Sequence, residues 1–461
     1  MNNSILAYGT YVPVWRTATP GARTPSRICA SFDEDAATMG VAAARNALSR
    51  SDLGNTAEAV VLATSSPPYL DKTNATIVHA ALALERTIEA HDAIGTARST
   101  MSALRAKGGP STLLVAADVR LGKPGSTDER QGADSAAAVL LGPASENSPA
   151  IAEILAGASL TEEFLDRWRA PSSPSAESWE ERFGFERYAA LIREVTDRAL
   201  AEAVLTEADH VVVTSGNSAV RKRAASIVKG RKSTSGSPIG HSGAADPLIA
   251  LGSALDTAEP GETILVVSAV DGADAVLLRA TEALPTHRPR PLTDQLTSEH
   301  VVPYTTYLSW RGLLEFEPPR RPEPDRPAGP PSARAMGWKY AFEGSRCRSC
   351  GFVHLPPIRV CRHCRTTDEM DPYPASLLAG TIATYTIDHL AYSPSPPVVD
   401  VVIDFDGGGR TTLEVADAVT DSLAVGAPVS LTFRRLFTAG DVHNYFWKAE
   451  QTDTAPSEEM R

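Results

Sequence analysis

Four of the chain's five cysteines fall in one stretch, as Cys347-Arg-Ser-Cys350 and Cys361-Arg-His-Cys364. In each Cys-x-x-Cys pair two thiolates of one tight turn reach the same ion, and two such knuckles complete a closed tetrahedral Zn²⁺ site. Gly351, directly after the second cysteine, suits the turn. The ten intervening residues are fewer than is usual between knuckles, but a Pro-Pro and a short apolar Ile-Arg-Val among them can close a compact ribbon. Because Cys347, Cys350, Cys361 and Cys364 fill the coordination sphere, the metal has no open position. Zinc here is structural and marks a module without explaining a reaction. A disulfide framework would suit a secreted chain, and a redox Cys-x-x-Cys is expected once, at a helix start after a strand; neither fits this doubled motif. His354 and His363 are read as residues behind the ligands or facing solvent, and Cys29 as a packing residue.

The elements that must position this module and its neighbours follow from pattern. From Ser4 to Leu284, short Val/Ile/Leu/Ala runs alternate with Ala-rich amphipathic stretches. The runs predict strands at Ala59 to Ala63, Ser111 to Ala116, Ala136 to Leu141, His210 to Thr214 and Thr263 to Ser268. Helices are predicted at Asp35 to Leu48, Thr73 to Leu84 and Thr100 to Lys107. Such alternation implies α/β layers with buried sheets, and the polar break Gly142 to Pro149 divides them into two pseudo-equivalent halves. From Glu317 to Arg334 a proline-rich charged linker follows, extended and semi-rigid. A short helix is predicted at Ala335 to Phe342. After the cysteines come β-type segments at Gly380 to Thr386, Val398 to Asp404, Arg410 to Val415 and Val429 to Phe437, which suit a small barrel. The polar end from Gln451 is expected to fray.

Composition narrows the function. The 461 residues suffice for about three domains. With 43% hydrophobic, 22% charged and 6% aromatic residues, the chain reads as soluble and globular. No apolar run is long enough for a membrane helix, and the N-terminus Met1-Asn-Asn-Ser-Ile-Leu lacks a signal-peptide pattern, so a cytoplasmic location is expected. A net charge of −12 argues against nucleic-acid binding, which needs a basic footprint. The same balance means that an anionic ligand must be met locally. Candidates are Arg221-Lys222-Arg223, Lys229 with Arg231-Lys232, and Arg320-Arg321 with Arg326.

Several motifs, in order, carry a resemblance. They are Ile5-Leu-Ala-Tyr-Gly-Thr-Tyr-Val-Pro13, Asp33-Glu-Asp-Ala-Ala-Thr-Met39, Pro67-Pro-Tyr-Leu70 and Gly132-Ala-Asp-Ser-Ala-Ala-Ala-Val-Leu-Leu-Gly142, then Trp179-Glu-Glu-Arg-Phe-Gly184 and Gly240-His-Ser-Gly-Ala-Ala-Asp-Pro247. With these the N-terminal 315 residues resemble the thiolase superfamily, in its 3-hydroxy-3-methylglutaryl-CoA synthase-like branch. Gly344-Ser-Arg-Cys-Arg-Ser-Cys-Gly351, Pro356-Pro-Ile-Arg-Val-Cys361 and Gly380-Thr-Ile-Ala-Thr-Tyr-Thr386 resemble the zinc-ribbon plus OB-fold family that accompanies acyl-CoA-handling thiolases. The resemblance implies a five-layered αβαβα thiolase-like fold, normally dimeric, followed by a zinc ribbon and a small all-β OB-fold barrel. Expected boundaries are 1–145 and 146–315 for the thiolase-like halves, 316–334 for the linker, 335–372 for helix and ribbon, and 373–450 for the OB-fold.

Superfamily members that make or break carbon–carbon bonds carry the acyl group on a cysteine thiolate at a buried helix start. By the pattern Asp92-Ala-Ile-Gly-Thr-Ala97-Arg-Ser-Thr, that position falls on Ala97, and a methyl group cannot be acylated. The family's histidine base falls on Gly216. A glutamate of the synthase branch is replaced by Thr64-Ser65-Ser66-Pro67. The third position, Asn or His in the family, is His241, either a structural histidine in a glycine-rich turn or a donor to a thioester oxygen. Asp92 is read as a helix-start residue with Ser99 on the same first turn.

The resemblance therefore implies a noncatalytic, acyl-CoA-handling scaffold subunit of a thiolase or C-acyltransferase complex. A separate thiolase chain would supply the cysteine, structural zinc would be the cofactor, and a CoA thioester the ligand. The alternative is an autonomous acyl-CoA transferase, synthase or C–C lyase acting without an acyl-cysteine. Membranes and nucleic acids are not expected partners.

Overall fold

The computed structural model describes residues 3–48, 57–106, 108–317 and 335–452. Most of the expected linker, with Arg320, Arg321 and Arg326, lies outside them, as do the last nine residues. The chain divides into two compact units. The first holds residues 1–30, 35–76 and 85–307; the second holds 31–34, 77–84 and 308–461.

In the first unit the strands are β1 (Ser4–Tyr11), β2 (Trp15–Thr17), β3 (Arg27–Cys29), β4 (Ala59–Thr64), β5 (Glu89–Ile94), β6 (Thr112–Asp118), β7 (Ser135–Gly142), β8 (Ala152–Thr161), β9 (Arg167–Trp168), β10 (Glu177–Ser178), β11 (His210–Ser215), β12 (Ser233–Ser235), β13 (Thr263–Ala269) and β14 (Gly272–Ala280). Ten of them are joined in the order β12-β11-β13-β14-β8-β1-β7-β6-β4-β5. The first half, β1, β4, β5, β6, β7, and the second, β8, β11, β12, β13, β14, take their places in the same order, and the pairings repeat. β4 runs parallel to β5 and β6, as β11 does to β12 and β13; β7 and β14 are antiparallel to their neighbours. The internal duplication is thus written in the hydrogen bonds. Every residue of β4, β7 and β13 is buried, as strands covered on both faces require.

Helices fill the layers. In chain order they are α1 (Ala36–Leu48), α2 (Ala75–Ala81), α3 (Ala97–Leu104), α4 (Thr127–Gln131), α5 (Glu181–Glu202), α6 (Ser218–Ile227), α7 (Asp246–Leu255), α8 (Leu292–Gln295) and α9 (Tyr304–Trp310). α1 packs on β1, β6 and β7, and α5 on β8, β13 and β14, while α3 and α7 each touch strands of both halves and one another. Those two form the middle layer, and a large apolar cluster gathers around them, with Met101, Leu104, Leu248 and Leu251 against Ile5, Val139, Val266 and Val276. Asp35 caps α1, its Oδ1 accepting from Ala37 N and Thr38 N at 3.0 Å. Asp92 starts a different helix from the one expected: it lies on β5, and its carboxylate accepts from Asn74 N and Ala75 N at the head of α2.

The second unit holds the ribbon strands β15 (Glu343–Cys347), β16 (Val353–His354) and β17 (Met370–Pro374), and then β18 (Gly380–Asp388), β19 (Val398–Phe405), β20 (Arg410–Glu414), β21 (Pro428–Ala439) and β22 (Val442–Gln451). The last five pair in the order β20-β19-β18-β21-β22, and a parallel bridge from Val415 to Ala449 brings the outer two together. This is a five-stranded barrel, joined at β18 and β21 by two residue pairs and at its outer strands by that bridge. Phe433, Tyr445 and Trp447 fill it. Trp447 Nε1 donates to Tyr340 O of a short π-helical turn, Gly337–Ala341, at 2.7 Å, which stands where the short helix was predicted. β22 was not foreseen as a strand, because His443, Asn444 and Lys448 interrupt its apolar pattern; Asn444 and Lys448 are nonetheless buried.

Candidate functional site

Two places in the chain gather chemistry. In the second unit the four cysteine sulfurs lie within 4.8 Å of one another, with Cys347 Sγ 3.5 Å from Cys364 Sγ and Cys350 Sγ 3.6 Å from Cys361 Sγ. Four thiolates about 2.3 Å from one Zn²⁺ stand about 3.8 Å apart, so the donor set fits the metal. β15 delivers Cys347, Gly351 turns the chain at φ +75°, and Cys364 N donates to Cys361 Sγ at 3.3 Å. His354, buried behind the ligands, places Nε2 3.4 Å from Cys361 Sγ. His363 stacks on Phe352 instead of reaching the sulfurs.

The second place lies in the first unit, at the carboxyl ends of its central strands. There the structure brings Ala97, Gly216 and His241 to the lining of one cavity of about 130 Å³, together with Ser65, Arg120 and Arg167. Thr96 caps α3, its side chain accepting from Arg98 N, and Ala97 is the first residue of that helix, a position suited to a low-pKa nucleophile. Gly216 ends the turn after β11, and Asn217 caps α6. A Cβ at Gly216 would stand 3.6 Å from His241 Nε2, so the imidazole edge points at the space a larger residue would occupy.

His241 is held on every side but that one. Its N donates to Gln131 O at 2.9 Å, its O accepts from Ala133 N at 3.0 Å, and Nδ1 lies 3.0 Å from Asp246 Oδ2. Both flanking glycines are required: a Cβ on Gly240 would stand 2.5 Å from Gln131 O, and one on Gly243 2.0 Å from Asp118 Oδ2. Burial pushes the imidazole below its ordinary 6.5, aided by the charges of Arg120 and Arg167, although the Asp246 hydrogen bond opposes the shift. The ring is therefore neutral at pH 7, with the Nδ1 proton on the Asp246 side and the Nε2 lone pair facing the cavity.

Asp118, fully buried at the end of β6, holds the floor. It accepts from Thr64 Oγ1, Ser65 N, Ser65 Oγ, Ser66 Oγ and Ala244 N at 2.7 to 2.9 Å. The Thr64-Ser65-Ser66 turn that replaces the synthase glutamate is thus tied down as a wall. Arg167 makes a two-pronged pair with Asp128 at 2.6 Å on both arms. Burial raises the Asp128 carboxyl, but the Arg167 bonds and the charges of Arg167 and Arg120 more than offset this and leave it below the ordinary range. Burial raises Asp166 across the cavity.

Sequence reading did not single out Arg120, Arg167, Asp118 or Asp246 for the site. Asp246 stood in the quoted Gly240 to Pro247 motif, and Asp118 and Arg120 follow the strand predicted at Ser111 to Ala116, which the structure pairs parallel to β4, at the strand end where α/β sheets place ligands. Of the cationic clusters, Arg221 is spent on Ser215 O, Gly216 O and Gln131 Oε1, Arg231 on Asp209 and Lys232 on Glu262. Ser99 does not line the cavity. Cys29 is fully buried in β3.

Comparison with known proteins places this geometry. The hydroxymethylglutaryl-CoA synthase of Archaeoglobus fulgidus is 30% identical over 348 residues, covering 68% of this chain and 99% of its own length. The chain belongs to the hydroxymethylglutaryl-CoA synthase family. To that family's fold it joins two further modules, matched by the models for the ChsH2 rubredoxin-like zinc ribbon domain at residues 339–370 and the ChsH2 C-terminal OB-fold domain at 374–434. A DUF35 domain-containing scaffold protein of Methanocaldococcus jannaschii is 30% identical over 113 residues, 24% of this chain and 79% of that protein. Among solved structures, an HMG-CoA synthase complexed with CoA superposes with TM-score 0.55 at 15% identity, covering 67% of this chain and 89% of that one. The 3-oxoacyl-(acyl carrier protein) synthase III of Pseudomonas aeruginosa gives 0.53 at 19% identity, covering 61% and 99%. The thiolase-like fold expected from the motifs is the fold observed. No described helix of this synthase-family chain is long and apolar enough to cross a membrane.

Proposed function

We propose that this chain is a noncatalytic scaffold and acyl-CoA-handling subunit of a thiolase or C-acyltransferase complex. The observation that carries the reading is Ala97: the first residue of α3, beside His241 in the cavity, is a methyl group where the chemistry of this fold needs a thiolate. Gly216 leaves the base position empty of any side chain. What remains is a pocket able to hold an acyl thioester without bonding to it. The zinc ribbon and OB-fold of this chain, and its similarity to a relative named as a scaffold protein, support a bridging role. A separate thiolase subunit then supplies the nucleophile, and the synthase-like part self-associates as a homodimer.

The test is co-purification with a candidate thiolase, followed by acyl-CoA turnover by each chain alone and by the pair. Turnover that needs the partner's cysteine and survives His241→Ala supports the scaffold reading. Turnover by the isolated chain sinks it.

One observation favours a second reading, an autonomous transferase, synthase or C–C lyase without an acyl-enzyme. His241 is oriented by Asp246 and turns a free Nε2 lone pair on the cavity, as a general base requires. It predicts that the isolated chain turns over and that His241→Ala abolishes this while fold and zinc content persist.

A further inference from the structure

In the second unit the ribbon meets the barrel at Phe352, and the same residue is tied to the zinc ligands. Its O accepts from Cys347 N at 3.0 Å, and its N–H bonds the Cys350 sulfur. Its ring lies parallel to His363 at 5.4 Å and against His354 at 4.8 Å. His363 stands between Cys361 and Cys364 in the chain, and His354 reaches Cys361 Sγ. Both knuckles therefore hold this one side chain. On the barrel side, the turn Asp406-Gly407-Gly408-Gly409 joins β19 to β20 and packs on the ring. A Cβ on Gly408 would stand 2.6 to 2.8 Å from three ring carbons of Phe352, and one on Gly409 3.2 Å from Leu355 Cδ1. Gly407 O accepts from Val353 N at 3.0 Å, while Gly408 N to Phe405 O and Phe405 N to Gly409 O, at 3.1 Å each, close the turn. Three glycines in a row read as a slack solvent turn. Here the middle one is bare because Phe352 fills the place of its side chain.

We infer that this turn is a seat for Phe352 that holds the zinc ligands in position, so that metal binding by the ribbon and ordering of the β19–β20 hairpin are one coupled event. Phe352 is a positioning residue: its side chain cannot bind zinc, but its place helps to decide where Cys347, Cys350 and His354 lie. A ribbon spanning residues 339–370 is too short to bury a core of its own. It depends on its metal and on the surface it packs against. In such modules the free energy of metal binding is folding free energy, so order supplied by the barrel raises the metal affinity. By reciprocity the metal steadies the turn by the same factor.

The experiment uses the full-length chain, and its first arm needs no variant. Hydrogen exchange is compared between the zinc-loaded chain and the chain stripped of zinc by a chelator. The amides of Val353, Phe405 and Gly408 should exchange at least about fivefold faster without the metal, the low end of ordinary coupling between sites. Loss of protection throughout the second unit supports the coupling as well; unchanged exchange at Phe405 and Gly408 overturns it. The second arm tests the route. Gly407 and Gly408 have φ +80° and +111°, so alanine strains the backbone at either, but a Cβ on Gly407 meets nothing within 4 Å. Gly408→Ala should weaken zinc binding, read by chelator competition, by about 10- to 100-fold, and should shift the thiolate-to-metal charge-transfer band of the cobalt-substituted chain. Gly407→Ala should leave both readings nearly unchanged. Adding Phe352→Leu to Gly408→Ala removes the ring carbons that the new Cβ strikes and should return part of the affinity. Equal zinc affinity in the two alanine variants, whether kept or lost, overturns the role given to Phe352 and its seat.

Discussion

Two sets of buried charge lie in the two compact units, and they are built on opposite plans. In the second unit, Lys448 Nζ meets Asp33 Oδ2 at 2.8 Å and Glu414 Oε1 at 2.7 Å, and Arg434 meets Glu34 and Asp417 at 2.8 Å. Lys448, Arg434, Asp33 and Glu34 are each only 2% exposed, and every charge has a counter-charge. In the first unit, Arg120 lines a cavity with one hydrogen bond to a hydroxyl, and the charges of Asp118 and Asp128 act on it without a direct ion pair. Charge taken out of water must be paired or it destabilises the fold. A closed network fixes each charge by direct ion pairs, whereas Arg120 is offset only by carboxylates that make their own bonds elsewhere. The zinc cysteines follow the closed plan too, with four donors and no vacant position.

The largest effect should come from opening the closed network. Lys448→Met removes the principal cation from Asp33, which burial raises but Lys448 and Arg434 pull well below the ordinary carboxylate range. Breaking one partner of a buried pair costs about 3 to 5 kcal/mol, so denaturant unfolding followed by Trp447 fluorescence should show the second unit's transition at much lower denaturant. A loss under about 1 kcal/mol would mean that the network is hydrated and the contrast with Arg120 is false.

A smaller effect separates the two units by pH. His241, held below 6.5 in the fold, takes up its proton later than in the unfolded chain. As pH falls beneath 6.5 the unfolded chain therefore binds the proton first, and stability drops through the window between 6.5 and the lower folded value. The slope is at most about 1.4 kcal/mol per pH unit for one proton. Asp33 also sits below its ordinary 3.8, so its contribution is present above 3.8 and is lost only as pH falls beneath that. Comparing His241→Asn with the unmodified chain between pH 7 and 5 isolates the first window. The unfolding midpoints should converge on acidification; parallel lines would mean that the imidazole is already charged or freely solvated.

How much of this could be read from the chain depended on how local each interaction was. The zinc site was legible because its four donors lie within eighteen residues, and the α/β layers because apolar runs and amphipathic stretches alternate. Ala97, Gly216 and His241 were found through neighbouring motif residues, and the fold supplies the reason they meet: α3 and α7 begin at corresponding places in a duplicated topology. What stayed hidden was long-range pairing. Asp33-Glu-Asp35 reads as one acidic helix start, yet only Asp35 caps α1, while Asp33 and Glu34 answer cations some four hundred residues later. Nothing in Arg120's own neighbourhood of sequence distinguishes it from an arginine with a partner.

That last point makes Arg120 the sharpest probe of the comparison, even though its expected effect on stability is the smallest. If Lys448 and Arg120 are both buried cations serving structure, removing either should destabilise its unit. If Arg120 is an open charge, Arg120→Met discards a desolvated guanidinium together with one long hydrogen bond to a neutral hydroxyl and the attraction of Asp118 and Asp128, contributions of opposite sign. The unfolding midpoint of the first unit should then stay within about 0.5 kcal/mol of the unmodified chain or rise, the direction seen when binding groups are traded for stability. A loss of about 2 kcal/mol or more would place Arg120 in the closed class, with a structural partner among the groups around Ser65 and Asp118. The midpoint thus distinguishes a charge that holds the fold from one that the fold can lose.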